Sequence, residues 1–169
     1  MSGAGLSFSN QLRVGDLSRQ ELRAELDELG VQLNASADTL LKSSIFDRQR
    51  FESFHVVLCT VRQIGVNGDA TLSSIFSRAR EAGLSLCPDV TGPYLRLAMT
   101  DQASVPGSVA SDGCAPVGSI TVASAPLDHD DVLPKGFYVR AVDGVLWLRG
   151  FHATEGHVWS PDDCFAFRT

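Results

Sequence analysis

Apolar positions recur at helical spacing through the first half of the chain and at alternate positions through much of the second. Ser18-Arg19-Gln20-Glu21 reads as a capping box, in which the serine hydroxyl accepts from an early backbone N–H while the glutamate reaches back. Leu22, Leu26, Leu29 and Leu33 follow at near-helical spacing, with Gly30 as a stop or kink. Asn34 then caps a short second helix carrying Ala37, Leu40 and Leu41, and the two helices are expected to form an antiparallel pair. A third helix is predicted from Thr71, with Leu72, Ile75, Phe76 and Ala79 as its apolar stripe and Gly83 as its end. Between them, Phe54 to Val61 is apolar and β-branched without polar alternation, which predicts a strand buried on both faces.

From Leu84 the pattern favours strands. Tyr94 to Met99 and Ile120 to Val122 alternate, and Cys164 to Arg168 reads as a last strand. Gly136 to Gly150 holds two alternating runs around Asp143-Gly144, the dipeptide preferred in type I′ hairpins. Residues 100–118 are nearly all small or Pro and predict a flexible loop, while residues 1–16 read as a mobile lead-in or a weak edge strand. The segregation of helices and strands predicts an α+β fold, with N-terminal helices on a largely antiparallel sheet of about five strands. A length of 169 residues suits a single domain spanning 1–169.

The hairpin carries the main candidate chemistry. With Asp143 and Gly144 as the loop, Val142 pairs with Val145, Arg140 with Trp147 and Tyr138 with Arg149, leaving Phe137, Val139, Ala141, Leu146 and Leu148 for the core. One face then shows cross-strand Arg–aromatic pairs, and Tyr94 and Arg96, at the same spacing, are expected beside them. Arg, Tyr and Trp are favoured at binding hot spots. Tyr94, Arg96, Tyr138, Arg140, Trp147 and Arg149 are therefore the expected binding residues, against the plainer reading of a decorated sheet surface.

Charge sharpens that expectation. The formal net charge is −6; residues 1–86 carry 9 basic and 10 acidic side chains, and residues 87–169 carry 5 and 10. This balance disfavours nucleic acid as a partner. Arg96, Arg140 and Arg149 are three of the five basic residues in the acidic half, whose carboxylates all fall in predicted loops or turns. No run approaches the roughly 18 apolar residues of a membrane span, and the start of the chain has neither the basic nor the apolar region of a signal peptide. Cys59, Cys87, Cys114 and Cys164 are widely spaced, which suits reduced thiols in the cytoplasm.

Other clusters are weaker. His152 and His157, with Glu155, Trp159, Asp162 and Asp163, offer metal-ligating types at no recognised spacing, so no metal or cofactor is expected and Trp159 reads as the anchor of a loop. Asp128-His129-Asp130-Asp131 reads as a solvated turn rather than a cation site. Cys87 suits a nucleophile only if His55 or His157 lies beside it. G-x-S-x-G, P-loop, G-x-G-x-x-G and H-E-x-x-H motifs are absent.

Leu86-Cys87-Pro88, Gly92-Pro93-x-Leu95-Arg96-Leu97 with Asp101-Gln102, Gly136-Phe137-Tyr138-x-Arg140, Leu146 to Gly150 and His157-Val158-Trp159-x-Pro161-Asp162-Asp163, together with Gly30 to Asn34, form a set of segments. The set resembles a group of uncharacterised bacterial proteins, over about residues 20–168. The resemblance implies a leading helix and carries no activity, cofactor or site residue. In that group the Asp-Gln pair leads promptly into a strand, whereas here the small-residue stretch 103–118 follows it. These readings point to a small intracellular binding protein with an accessory, regulatory or immunity-like role and a protein partner. The alternatives are a binder of a small anionic ligand, or an enzyme built around His152, His157 and Cys87.

Overall fold

Ser18, Asn34 and Thr71 each accept a hydrogen bond from a backbone N–H three residues on, and each starts a helix where the sequence predicts one. At Ser18 the box is reciprocal, with the Ser18 N–H donating to Glu21 Oε2 at 2.7 Å. The computed structural model describes residues 11–48, 50–107, 115–127, 130, 132–154 and 156–169. Its elements are β1 (Gln11–Val14), α1 (Arg19–Glu28), β2 (Gln32–Leu33), α2 (Ala35–Leu41), a 3₁₀ turn (Ser44–Asp47), β3 (Glu52–Thr60), β4 (Ala70–Thr71) and α3 (Leu72–Glu81). Then follow α4 (Thr91–Ala98), β5 (Ser104–Val105), β6 (Ile120–Val122), β7 (Gly136–Val142), β8 (Val145–Phe151), β9 (Val158–Trp159) and β10 (Cys164–Arg168).

The fold is α+β, but its sheet is larger than the five strands expected, and mixed. Eight strands join in it, in the order β1-β3-β10-β6-β7-β8-β2 with β5 added beside β7. The β1–β3, β3–β10, β6–β7 and β7–β8 pairings are antiparallel, whereas β6–β10, β2–β8 and β5–β7 run parallel. Short strands such as β2 and β5 carry too few residues to show a period, so they escape a reading based on alternation. β4 and β9 pair apart as a two-stranded ribbon.

Two apolar cores lie on opposite faces of the sheet. On the first face Leu22, Leu26, Leu41 and Leu95 from the helices meet Val56, Leu58, Val139 and Leu148. On the second, Ile75, Phe76 and Ala79 of α3 meet Phe165, Phe167 and Trp159. β10 serves both, because Ala166 points to one core and its neighbours Phe165 and Phe167 to the other.

Four local expectations are corrected. Tyr94 to Met99 is not a strand: residues 91–98 form α4, wedged among α1, β1, β7 and β8. Thr91 to Arg96 are all buried, so no one-sided stripe exists to announce the helix. Pro93 stands in its first turn, where the missing N–H would be unpaired in any case. Gly92 leaves no room for a side chain there, since a Cβ would lie 2.5 Å from the Phe137 ring. Secondly, α1 and α2 are not an antiparallel pair: α1 packs on α4 and α2 on β8, with Arg23–Asp38 (3.0 Å) bridging them. Thirdly, β3 is not buried on both faces throughout; Phe54, Val56 and Leu58 are buried, but His55 is exposed. Fourthly, the stretch 100–118 contains β5, which begins two residues after Gln102 and pairs with β7; residues 108–114 lie outside the described residues. Likewise residues 11–14 form edge strand β1.

Among the described residues, no helix is long and apolar enough to cross a membrane.

Candidate binding site

The β7–β8 hairpin has the register its turn dictates. Asp143 (φ 49) and Gly144 (φ 80) occupy the left-handed region that a type I′ turn requires at both positions. Val142 faces Val145, Arg140 faces Trp147 and Tyr138 faces Arg149. Phe137, Val139 and Leu148 face the first core, so Tyr138, Arg140, Trp147 and Arg149 share the second face. There α3 and Trp159 cover the neighbourhood of β10, while Trp147 and Arg149 stay half-exposed and Val145 is 39% exposed.

The six expected binding residues separate into two groups. Tyr138, Trp147 and Arg149 lie on this open part of the sheet. The Arg149 guanidinium stacks on the Trp147 ring, 4.3 Å from its centroid. This is a contact along one strand rather than the expected cross-strand stack of Arg140 on Trp147. Arg140 is 7% exposed, and its Nε donates to the Val117 carbonyl at 2.8 Å. The Arg149 side chain makes no ion pair or hydrogen bond with any described residue, and its Nε is buried without a partner among them.

Tyr94 and Arg96 are not beside the hairpin face, because α4 carries them on the opposite side of the sheet. The Tyr94 hydroxyl accepts from the Leu17 N–H at 3.0 Å and donates to the Leu17 carbonyl at 3.2 Å. Burial is the main influence that raises its pKa. Arg96 is fully buried. Its Nη1 donates to Gln102 Oε1 (2.7 Å) and to the carbonyls of Trp147 (3.1 Å) and Arg140 (3.3 Å), and Nη2 donates to the Met99 carbonyl. Gln102 in turn donates to the carbonyls of Gly118 and Val139, both at 3.1 Å. It thus fills the gap on the edge of β7 between β5 and β6. Burial pushes the Arg96 pKa down to about 10, which leaves it charged at neutral pH. Arg96 and Gln102 therefore join α4 to the sheet and offer nothing to a ligand.

A cleft of about 180 Å³ adjoins the hairpin face, lined by Tyr138, Phe151, His152, His157 and Trp159. Gly136 opposite Phe151 brings the segment after β8 alongside the start of β7, and so Tyr138 near the two histidines. This gathering escaped the sequence, where His152 and His157 read as a separate cluster; extending the hairpin register by one residue would have revealed it. His152 Nε2 lies 3.1 Å from Ser36 Oγ, and the His157 ring meets Trp159 edge-on at 4.5 Å. Trp159 is 3% exposed and anchors its loop to the second core.

The nucleophile constellation is not assembled. Cys87 is buried in the first core with its Sγ on the Ala166 carbonyl, whereas His157 contacts Trp159 of the second core and His55 is exposed on β3. Burial pushes the Cys87 thiol up to about 12, so it carries no thiolate at neutral pH. Among the described residues no group of His, Cys, Asp and Glu is placed to hold a metal. Asp162 pairs with Arg62 at 3.1 Å and Asp163 Oδ2 accepts from the Ser160 N–H. Asp128, His129, Asp131, Cys114 and Glu155 lie outside the described residues.

No family model, no curated protein and no solved structure matches this chain.

Proposed function

We propose that this chain is a binding protein whose partner docks on the open hairpin face around Tyr138, Trp147 and Arg149, and that the partner is a protein presenting a carboxylate there. One observation carries the reading: the Arg149 guanidinium lies over the Trp147 ring and makes no side-chain hydrogen bond or ion pair with a described residue, in a chain of net charge −6. A guanidinium stacked on an indole keeps its donor edge free, and that fork matches a carboxylate bidentately. Tyr138 and Trp147 add the amphipathic ring surface typical of hot spots.

Native mass spectrometry of the untagged protein from its own cells is the test. A stoichiometric second protein that is lost from Trp147→Ala and from Arg149→Ala, while both variants keep their fold, supports the reading. A partner retained by both variants overturns it. The 180 Å³ cleft lined by Tyr138, the cross-strand neighbour of Arg149, favours a second reading, a small carboxylate or phosphate as the ligand. It predicts a small mass increment instead, sensitive to Arg149→Lys almost as much as to Arg149→Ala.

A further inference from the structure

A second cavity lies on the other face of the sheet and does not rest on the reading above. It measures about 500 Å³, within the range of roughly 300–1,000 Å³ typical of small-molecule sites. Its wall is apolar: Leu58 of β3, Ile120 of β6, Val105 of β5 and Met99 just past α4. Three of these side chains, Leu58, Met99 and Ile120, belong to the first core, so the cavity opens from the surface onto that core.

Its polar groups define the ligand's head. Ser119 lines it at 6% exposure, and its Oγ has no hydrogen-bond partner among the described residues. Gln102 also lines it, but its amide is fully engaged with Arg96, Gly118 and Val139. The Cys164 thiol stays protonated, because burial raises it. Two carboxylates, Asp101 and Asp162, stand at the exposed rim, and no lysine or arginine is among the described lining residues. Asp162 is engaged by Arg62, whereas Asp101 has no ion pair with any described residue.

We propose that this cavity is a binding site for a small amphiphilic amine, with its hydrocarbon body against Leu58, Met99 and Ile120 and its protonated nitrogen toward Asp101. An anionic amphiphile of the same length meets two carboxylates and one cation, Arg62, which is already paired with Asp162. Ser119 gains from the ligand the hydrogen bond that no described residue supplies to its Oγ.

Three probes with one chain length and different heads test this: octylamine, octanol and octanoate, each titrated below its aggregation limit into the full chain. Methyl-resolved NMR follows Leu58, Met99 and Ile120. Octylamine is expected to shift those methyl signals saturably, with octanol about threefold weaker, the size of one exposed charge pair, and octanoate weaker still. Asp101→Asn brings octylamine to the level of octanol and leaves octanol unchanged. Ala103→Trp, at an exposed lining position, blocks all three without altering the rest of the spectrum. Octanoate binding as tightly as octylamine overturns the assignment of the head. Methyl signals unmoved by all three probes, or shifts equally large at distant exposed Leu29 and Val132, overturn the site itself.

Discussion

Tyr94-x-Arg96 and Tyr138-x-Arg140 are the same pattern in one chain; both arginines are buried on backbone carbonyls, but the surroundings they build differ. On α4 two residues apart means about 200° apart around the axis. Tyr94 therefore reaches toward Leu17 at the entry of α1, while Arg96 reaches into the backbone of the hairpin. On β7 the same separation returns to the same face, so Tyr138 and Arg140 stand side by side above the sheet. The first region spends Arg96 on protein carbonyls; the second spends Arg140 on the Val117 carbonyl but leaves the neighbouring Arg149 stacked on Trp147 with no side-chain hydrogen bond to a described residue. Arginine and tyrosine thus do not mark a binding surface by their presence; the period of the element beneath them decides whether they cooperate.

If that contrast is right, the two regions respond to mutation oppositely. The largest effect belongs to Arg96. Arg96→Met leaves Gln102 Oε1 and the Met99, Arg140 and Trp147 carbonyls short of a donor, and is expected to cost about 3–5 kcal/mol in urea denaturation. A loss below about 1 kcal/mol would show that the network is not what joins α4 to the sheet. Next comes Gly92→Ala, whose added methyl meets the buried Phe137 ring; about 1–3 kcal/mol is expected. Calorimetry showing an unchanged melting temperature would contradict the close approach of α4 to β7.

Asn34→Ala follows, at about 1–2 kcal/mol. Its Oδ1 accepts from both the Ala37 and Gly150 N–H groups, while its Nδ2 donates to the Gly150 carbonyl. Hydrogen exchange at Ala37 and Gly150 should accelerate together, and protection retained at Gly150 would separate the cap from the sheet contact. On the open face, Trp147→Ala and Arg149→Ala should each change stability by about 1 kcal/mol or less while removing the partner. A collapse in stability would move Trp147 from surface to core and end the contrast.

The smallest effect is acid dependence at Asp38. Hydrogen bonds from Lys42 and then Arg23 lower its pKa below 3.8. The resulting stabilisation is complete above the unfolded value and lost as pH falls through the lower folded one. Because the group is largely exposed, Asp38→Asn should remove only a few tenths of a kcal/mol, roughly, at neutral pH, and progressively less as pH falls through the lowered folded value.

What the sequence determined by itself is local. The caps at Ser18, Asn34 and Thr71 and the hairpin around Asp143-Gly144 were legible, because each satisfies its hydrogen bonds within a few residues and needs no distant partner. The alternation in that hairpin also separated its core face from its open face. Tertiary structure alone decided the rest. A helix buried on all sides, as α4 is, has no polar stripe to reveal its period. Strands of two residues, such as β2 and β5, exist only because a longer neighbour offers them an edge. Whether an arginine is a strut or a contact depends on which carbonyls lie within its reach, and in Arg96 those come from positions up to 51 residues away. The cleft and the cavity are likewise assembled from segments distant in the chain, so no local pattern records them.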